Sequence, residues 1–154
     1  AGKILTAFHM FRAMALGADA CYSARAMMLA LGCIQALECN RNTCPTGVAT
    51  QDPELVKGLV VADKERRVAN YHRETVESLV ELLAAAGLSH PSEIARCHIW
   101  RRISASQIKR LDELLPPLPE GALLHPDGCP PHWREDLAMS RPDRFRPPAS
   151  IPCG

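Results

Sequence analysis

Apolar side chains recur at helical spacing over Ile4, Ala7, Phe8, Phe11, Met14 and Ala15, which predicts a short amphipathic helix with one face toward a core. Thr6 stands where an N-cap belongs, and Gly17 where a helix stops. The next run, "ADACYS" from Ala18 to Ser23, is small and apolar without helical period and reads as a short buried strand. Helix-forming residues resume in "ARAMMLAL" and stop at Gly32. Helix, short strand, turn and helix in succession is the rhythm of an α/β barrel or a doubly wound sheet.

Further along, Asp52 followed by Pro53 is a cap with a proline at the first helical position, opening "ELVKGLVV". A longer helix is predicted from about Lys64 to Ala86, where Val68, Tyr71, His72, Thr75, Leu79, Leu82, Leu83 and Ala86 form one stripe before Gly87. On that stripe His72 is expected to be packed. The opposite face carries Arg66, Arg67, Arg73, Glu74, Glu77 and Glu81. Two shorter helices are expected in "SEIARCHIWRRI", with Trp100 as its anchor, and in "SQIKRLDELL". From Pro116 onward the chain holds ten of its thirteen prolines, so an irregular, extended tail is predicted. The chain thus divides into residues 1–50, 51–115 and 116–154. It offers one strand, or two if another ends near Ala1, whereas a closed parallel barrel needs about eight.

Composition narrows the function classes. With 154 residues, 47% hydrophobic and 23% charged, a core can form. A net charge of +1 and 5% aromatic residues supply neither the field nor the stacking platforms of a nucleic-acid binder. No apolar run approaches the ~18 residues of a membrane span. The opening "AGKILTAFHM" has neither an initiator Met nor the order of a signal peptide, and is expected to continue a longer chain. Seven cysteines without an export signal point to a reducing, cytoplasmic compartment and to metal or cluster ligation.

Three of these, Cys33, Cys39 and Cys44, have the spacing C-x5-C-x4-C, with Pro45 after the last. A zinc site prefers paired cysteines and four ligands, and would have to recruit Cys97, His98 or Cys129. Iron-sulfur clusters are held by thiolates grouped in a loop, often with a proline after the last. Three thiolates suit a [3Fe-4S] cluster, and buried thiols with no ligand remain the simplest alternative. Paired carboxylates, Ser/His/Asp sets and Cys/His pairs are not apparent, so any chemistry falls to cofactors.

The wider wording "GKILTAFHMFRAMALGADACYSARAMMLALGCIQALECNRNTCPTGVATQDP" resembles the end of the FMN-binding synthase domain of the glutamate synthase family, especially its shorter stand-alone members. The resemblance weakens through "RVANYHRETVESLVELLAAAGL" and is faint in the tail. It implies the C-terminal part of a (β/α)8 barrel, mostly helical as an isolated chain, and a cluster of [3Fe-4S] type on Cys33, Cys39 and Cys44. It also sets Gly2 and Lys3 after barrel strand seven, and Ser23, Ala24 and Arg25 after strand eight. Those are the loops expected to take the FMN phosphate. Where large glutamate synthases carry glycines in the second loop, this chain reads "CYSAR".

The implied activity is formation of L-glutamate from 2-oxoglutarate and ammonia derived from glutamine. A reductase subunit or ferredoxin would be the electron donor, and an upstream barrel segment would complete the pocket. A relative acting on another amine or amino acid is the first alternative, and a non-catalytic zinc or iron-sulfur assembly module the second. Met27 and Met28 are read as filler around the cysteine loop, His9 as a polar-face residue, and Cys129 and Cys153 as incidental.

Overall fold

A computed structural model describes residues 1–140 and 142–143, so Cys153 lies outside the described residues. The chain falls into two units, Ala1–Leu115 and a second that begins at Pro116. In the first, α1 (Ala7–Ala15), α2 (Arg25–Leu31), the short α3 (Pro53–Val56) and the 25-residue α4 (Val61–Ala85) come in order. Two 3-10 turns follow, Pro91–Glu93 and Arg96–His98, then β1 (Trp100–Arg102), β2 (Ile108–Arg110) and α5 (Leu111–Leu114).

The helix boundaries have local causes. The Thr6 hydroxyl accepts the His9 N–H at 3.3 Å and starts α1. Asp52 Oδ1 accepts the N–H groups of Glu54 and Leu55 at 2.8 and 3.3 Å, and Pro53 takes the first helical position of α3. Gly58 lies just beyond, so "ELVKGLVV" makes one turn only. Helix α4 ends at Ala85 with Ala86 as its cap, and beyond it the Gly87 N–H bonds the Ala84 carbonyl and the Leu88 N–H that of Leu83. These are the paired capping bonds of a left-handed C-terminal turn.

Packing then follows from the stripe of α4. Ala7, Phe11 and Ala15 of α1 meet Leu79 and Leu83 of α4, and Ile94, Ile99 and Leu111 close the cluster. Burying Phe11 alone stabilises by about 1.5–3 kcal/mol relative to exposure. No side chain among the described residues is wholly sealed from solvent, so this core is shallow. Phe8, Tyr22, Val60, Val61 and Val80 are exposed.

Several expectations are corrected. His72 is exposed, because the contact line of α4 runs through Tyr71, Thr75, Leu79 and Leu83, one position away. The first helix expected between residues 92 and 115 is replaced by 3-10 turns and strand β1, and the second is kept only as α5, its start being taken by β2 in an antiparallel hairpin with Trp100 opposite Arg110 and Arg102 opposite Ile108. β-Branched Ile99, Ile103 and Ile108 favour extended backbone there. Trp100 is 62% exposed and anchors nothing. "ADACYS" is not a regular strand, and its Ala20 and Tyr22 are exposed. Even so, Ala1 N donates to the Ala20 carbonyl at 2.6 Å and Tyr22 N–H to the Ala1 carbonyl at 2.7 Å. That is the bond pair of two parallel extended segments.

In the second unit, 3-10 turns at Ala122–Leu124, Pro126–Gly128 and Pro131–Trp133 precede α6 (Arg134–Met139). Prolines at Pro126 and Pro131 open two of those turns instead of extending the chain, since a fixed φ also suits a first helical position.

Leu83→Ala should lower unfolding free energy by about 2–5 kcal/mol, while Val80→Ala, on the exposed side of the same helix, should change it by no more than about 0.5 kcal/mol. Equilibrium denaturation of both variants checks the packing face of α4.

Candidate functional site

Helix α2 delivers the first cysteine. Gly32 adopts φ 105°, a left-handed conformation that a side chain would oppose. Its N–H bonds the Leu29 carbonyl at 3.0 Å, and the Cys33 N–H bonds that of Met28 at 2.9 Å. Cys33 is therefore fixed to the end of a helix. Met27 and Met28 are half-buried, and Met27 lies with Ile4, Met10 and Tyr71 and not with the cysteine loop.

Beyond Cys33 the backbone is strained. Gln35, Leu37 and Asn42 have φ of 58°, 60° and 62°, each left-handed. For Gln35 and Leu37 this costs roughly 1–2 kcal/mol apiece, and less for Asn42. Leu37 is 85% exposed and Ile34 65%, so burial of these side chains does not compensate. What holds the loop is polar. Thr43 Oγ1 donates to Glu38 Oε2 at 2.9 Å, and Arg41 lies 3.7 Å from the other oxygen. Asn42 Oδ1 accepts the Gln51 N–H at 2.6 Å, and Thr50 Oγ1 donates to the Asn42 carbonyl at 2.6 Å. A 3-10 turn at Cys39–Arg41 presents Cys39 to solvent.

Cys44 sits differently. It is buried, with its sulfur 3.4 Å from Thr46 Oγ1. The Thr46 hydroxyl, foremost, and backbone N–H groups of Ala49, Thr46 and Val48 lower its pKa from 9.0 to about 7. Thr46, Val48 and Ala49 are participants the sequence reading missed. The Thr-Gly turn after "CP" was the available signal. Gly47, at φ 74°, closes this cradle against α3, where an added Cβ would run into the Leu55 carbonyl oxygen.

All six described cysteines are unpaired thiols. Among the described residues no three His, Cys, Asp or Glu side chains converge as a metal site, so Cys33, Cys39 and Cys44 share a loop without a common centre. The zinc alternative is not assembled either, and His98 Nδ1 is engaged by the Ala95 N–H at 3.0 Å. Donor chemistry nonetheless fits a thiolate-held cluster. Glu38, the one carboxylate between Cys33 and Cys44, is taken by Thr43 and Arg41, which leaves soft sulfur donors.

The loops expected to receive a phosphate do come together. Ser23 Oγ donates to the Ile4 carbonyl at 2.9 Å, and Tyr71 of α4 donates to the Leu5 carbonyl at 3.0 Å. Ser23 thus spends its hydroxyl on holding the two segments together. Gly2 and Lys3 line an open cleft of about 450 Å³ with His9 and Arg12, and Lys3 is held at φ 58°. His9 is half-buried, and its Nδ1 accepts the Leu5 N–H at 3.3 Å. Ala24 precedes α2 without a capping side chain. Arg25 is exposed, so no buried partner is required of it.

Comparison with known proteins adds a family. The model of the conserved region in glutamate synthase matches residues 1–89. Over 114 residues the chain is 46% identical to a glutamate synthase large subunit-like protein of Bacillus subtilis, covering 74% of this chain and 22% of that protein. It is 46% identical over 88 residues to the archaeal NADPH glutamate synthase of Methanocaldococcus jannaschii, covering 57% and 17%. Identity to the large chain of the NADPH glutamate synthase of Bacillus subtilis is 35% over 119 residues, covering 70% and 7%. The chain therefore spans 22% or less of the length of these relatives. No solved structure matches it.

In the metal-free protein the Cys44 thiolate should form with a midpoint near pH 7, against 9.0 ordinarily. Between those values the folded state has lost the proton that the unfolded state keeps. This contribution to stability is therefore full above pH 9 and is lost as pH falls through 7. Thr46→Val should move the midpoint up, read from thiolate ultraviolet absorbance. Gly47→Ala should lower stability by more than about 1 kcal/mol, measured by chemical denaturation.

Proposed function

The chain belongs to the glutamate synthase family, and from that premise we propose that it is the C-terminal portion of the family's FMN-binding synthase domain, a (β/α)8 barrel. The protein that carries it would then be an oxidoreductase forming L-glutamate from 2-oxoglutarate and glutamine-derived ammonia. A reductase subunit or a ferredoxin would provide the reducing equivalents. The observation that carries this reading is the set of three thiols at C-x5-C-x4-C within the matched region, on a loop whose only competing carboxylate is already engaged.

Cys33, Cys39 and Cys44 would hold a [3Fe-4S] cluster, with Cys33 placed by the end of α2 and Cys44 already biased toward the thiolate that ligation requires. Gly2, Lys3, Ser23, Ala24 and Arg25 would hold the phosphate end of FMN. Lys3 and Arg25 offer charge, while Ser23 keeps the second loop against the first through Ile4. When bound, the cluster supplies one-electron transfer and the flavin hydride transfer. The parallel bond pair between Ala1 and residues 20–22 supports a barrel setting for these segments. Exposed Phe8 and Tyr22 are apolar surface that the upstream barrel segment would cover.

Anaerobic reconstitution of the purified protein with ferrous iron and sulfide should yield three irons and the paramagnetic signal of an oxidised [3Fe-4S] cluster. Cys39→Ser should lose both, whereas Cys97→Ala should keep them. Zinc bound without sulfide would overturn the assignment.

A further inference from the structure

The first turns of α4 bring a concentration of positive charge to the end of α2. Lys64 has only 17% of its side chain exposed. A Cβ built on Gly32 would lie 3.3 Å from its Nζ and 3.7 Å from a terminal nitrogen of Arg67. Gly32 is the residue before Cys33, so both cations lie beside the point where the cysteine loop begins. Of the carboxylates in that turn, Asp63 is the one that pairs with cations there. Asp63 is 3.5 Å from Lys64 and is shared with Arg66 at 3.2 Å. With Glu65, which is exposed on the same turn, counted beside Asp63, Lys64, Arg66 and Arg67 leave a local excess of one positive charge. On the loop, Glu38 is neutralised by Arg41 at 3.7 Å.

A lysine drawn out of water loses hydration, and half of one carboxylate is poor compensation. A solvated position was available one turn along a helix whose other cations are exposed. Part of Lys64's role is structural, since a cation near a helix C-terminus opposes its dipole. A low-dielectric charge near Cys33 has a second effect. It stabilises any additional negative charge arriving on a group that Cys33 ligates, and solvent screens it less than a surface charge.

Resting on the cluster reading above, we propose that Lys64, assisted by Arg67, is a tuning residue that raises the reduction potential of the group held by Cys33, Cys39 and Cys44. Neither cation ligates or touches that group. They act through the field, favouring the reduced form, which carries one more negative charge.

The test is a redox titration of the reconstituted protein, followed by the paramagnetic signal, with iron and sulfide contents measured on every sample. Lys64→Gln should load the cluster fully and shift the reduced-to-oxidised ratio at fixed potential at least about threefold toward oxidised, about 28 mV at 59 mV per decade for one electron. Lys64→Arg should restore the wild-type value. Arg67→Gln, at an exposed position, should shift it in the same direction by less, and it decides the matter should Lys64→Gln fail to fold. A loaded variant with unchanged potential would overturn the tuning role and leave the cluster reading intact. Absence of a cluster from the wild-type protein would remove both. A purely structural lysine would lower the melting temperature and leave the potential where it was.

Discussion

The stripe of α4 from Tyr71 to Leu83 is the surface on which the rest of the first unit depends. Its lower half packs Phe11 and Ala7 of α1 together with Ile94, Ile99 and Leu111 from the segments after α4. Higher up, the Tyr71 hydroxyl reaches the Leu5 carbonyl, 66 residues away in sequence, and fixes the segment that leads into α1. Without α4, α1 and α2 would lose the helix they pack on. At nine and seven residues they are below the length at which a helix persists alone in water.

That platform separates two kinds of order. Around the core, apolar contact decides position, and helix ends are capped locally, by the Thr6 and Asp52 side chains at the starts of α1 and α3 and by backbone bonds at the end of α4. In the cysteine loop apolar contact contributes little, since Ile34 and Leu37 face solvent and the backbone is left-handed at three non-glycine positions. Hydrogen bonds donated by Thr43 to Glu38, and by Thr50 and the Gln51 N–H to Asn42, hold it instead. A loop organised this way keeps its thiols near the surface and near one another in sequence without sealing them into the core. Cys44 is the exception, enclosed by donors that favour its anion. The loop is thus anchored at both ends, by α2 at Cys33 and by α3 at Gly47, with its strained middle between.

Charge follows the same geography. Among the cations of α4 that face solvent, Arg66 pairs with Asp63 and Arg73 with Glu74 and Glu77, and such exposed pairs add little stability. Lys64 is largely withdrawn from solvent and lies against the turn that releases Cys33. Burial, and not the number of charges, makes this end of α4 electrostatically distinct.

Much of this was legible in the residues. Thr6, Asp52 with Pro53, and the glycines at 17, 32 and 87 set helix ends because caps and left-handed stops act within four residues. The period of α4 placed that helix to within three residues at its start and one at its end. The spacing of Cys33, Cys39 and Cys44, and the wording around them, identified the family and the candidate ligands. Other features depended on neighbours distant in sequence. The segment from Ser92 to Leu115 has helical spacing and weak local preference, and pairing of Trp100–Arg102 with Ile108–Arg110 made its middle extended, leaving helix only at Leu111–Leu114. His72 and Trp100 fit an apolar stripe on paper, but the packing surface lay one residue to the side of His72 and away from Trp100. The lowered pKa of Cys44 and the approach of Lys64 to Gly32 required loops and helices to meet in space. Sequence by itself determined where helices stop and which chemistry the loop can offer, because those are short-range effects. Tertiary structure alone decided which side chains are buried and which charges face the thiols, because burial and field are set by whatever packs alongside.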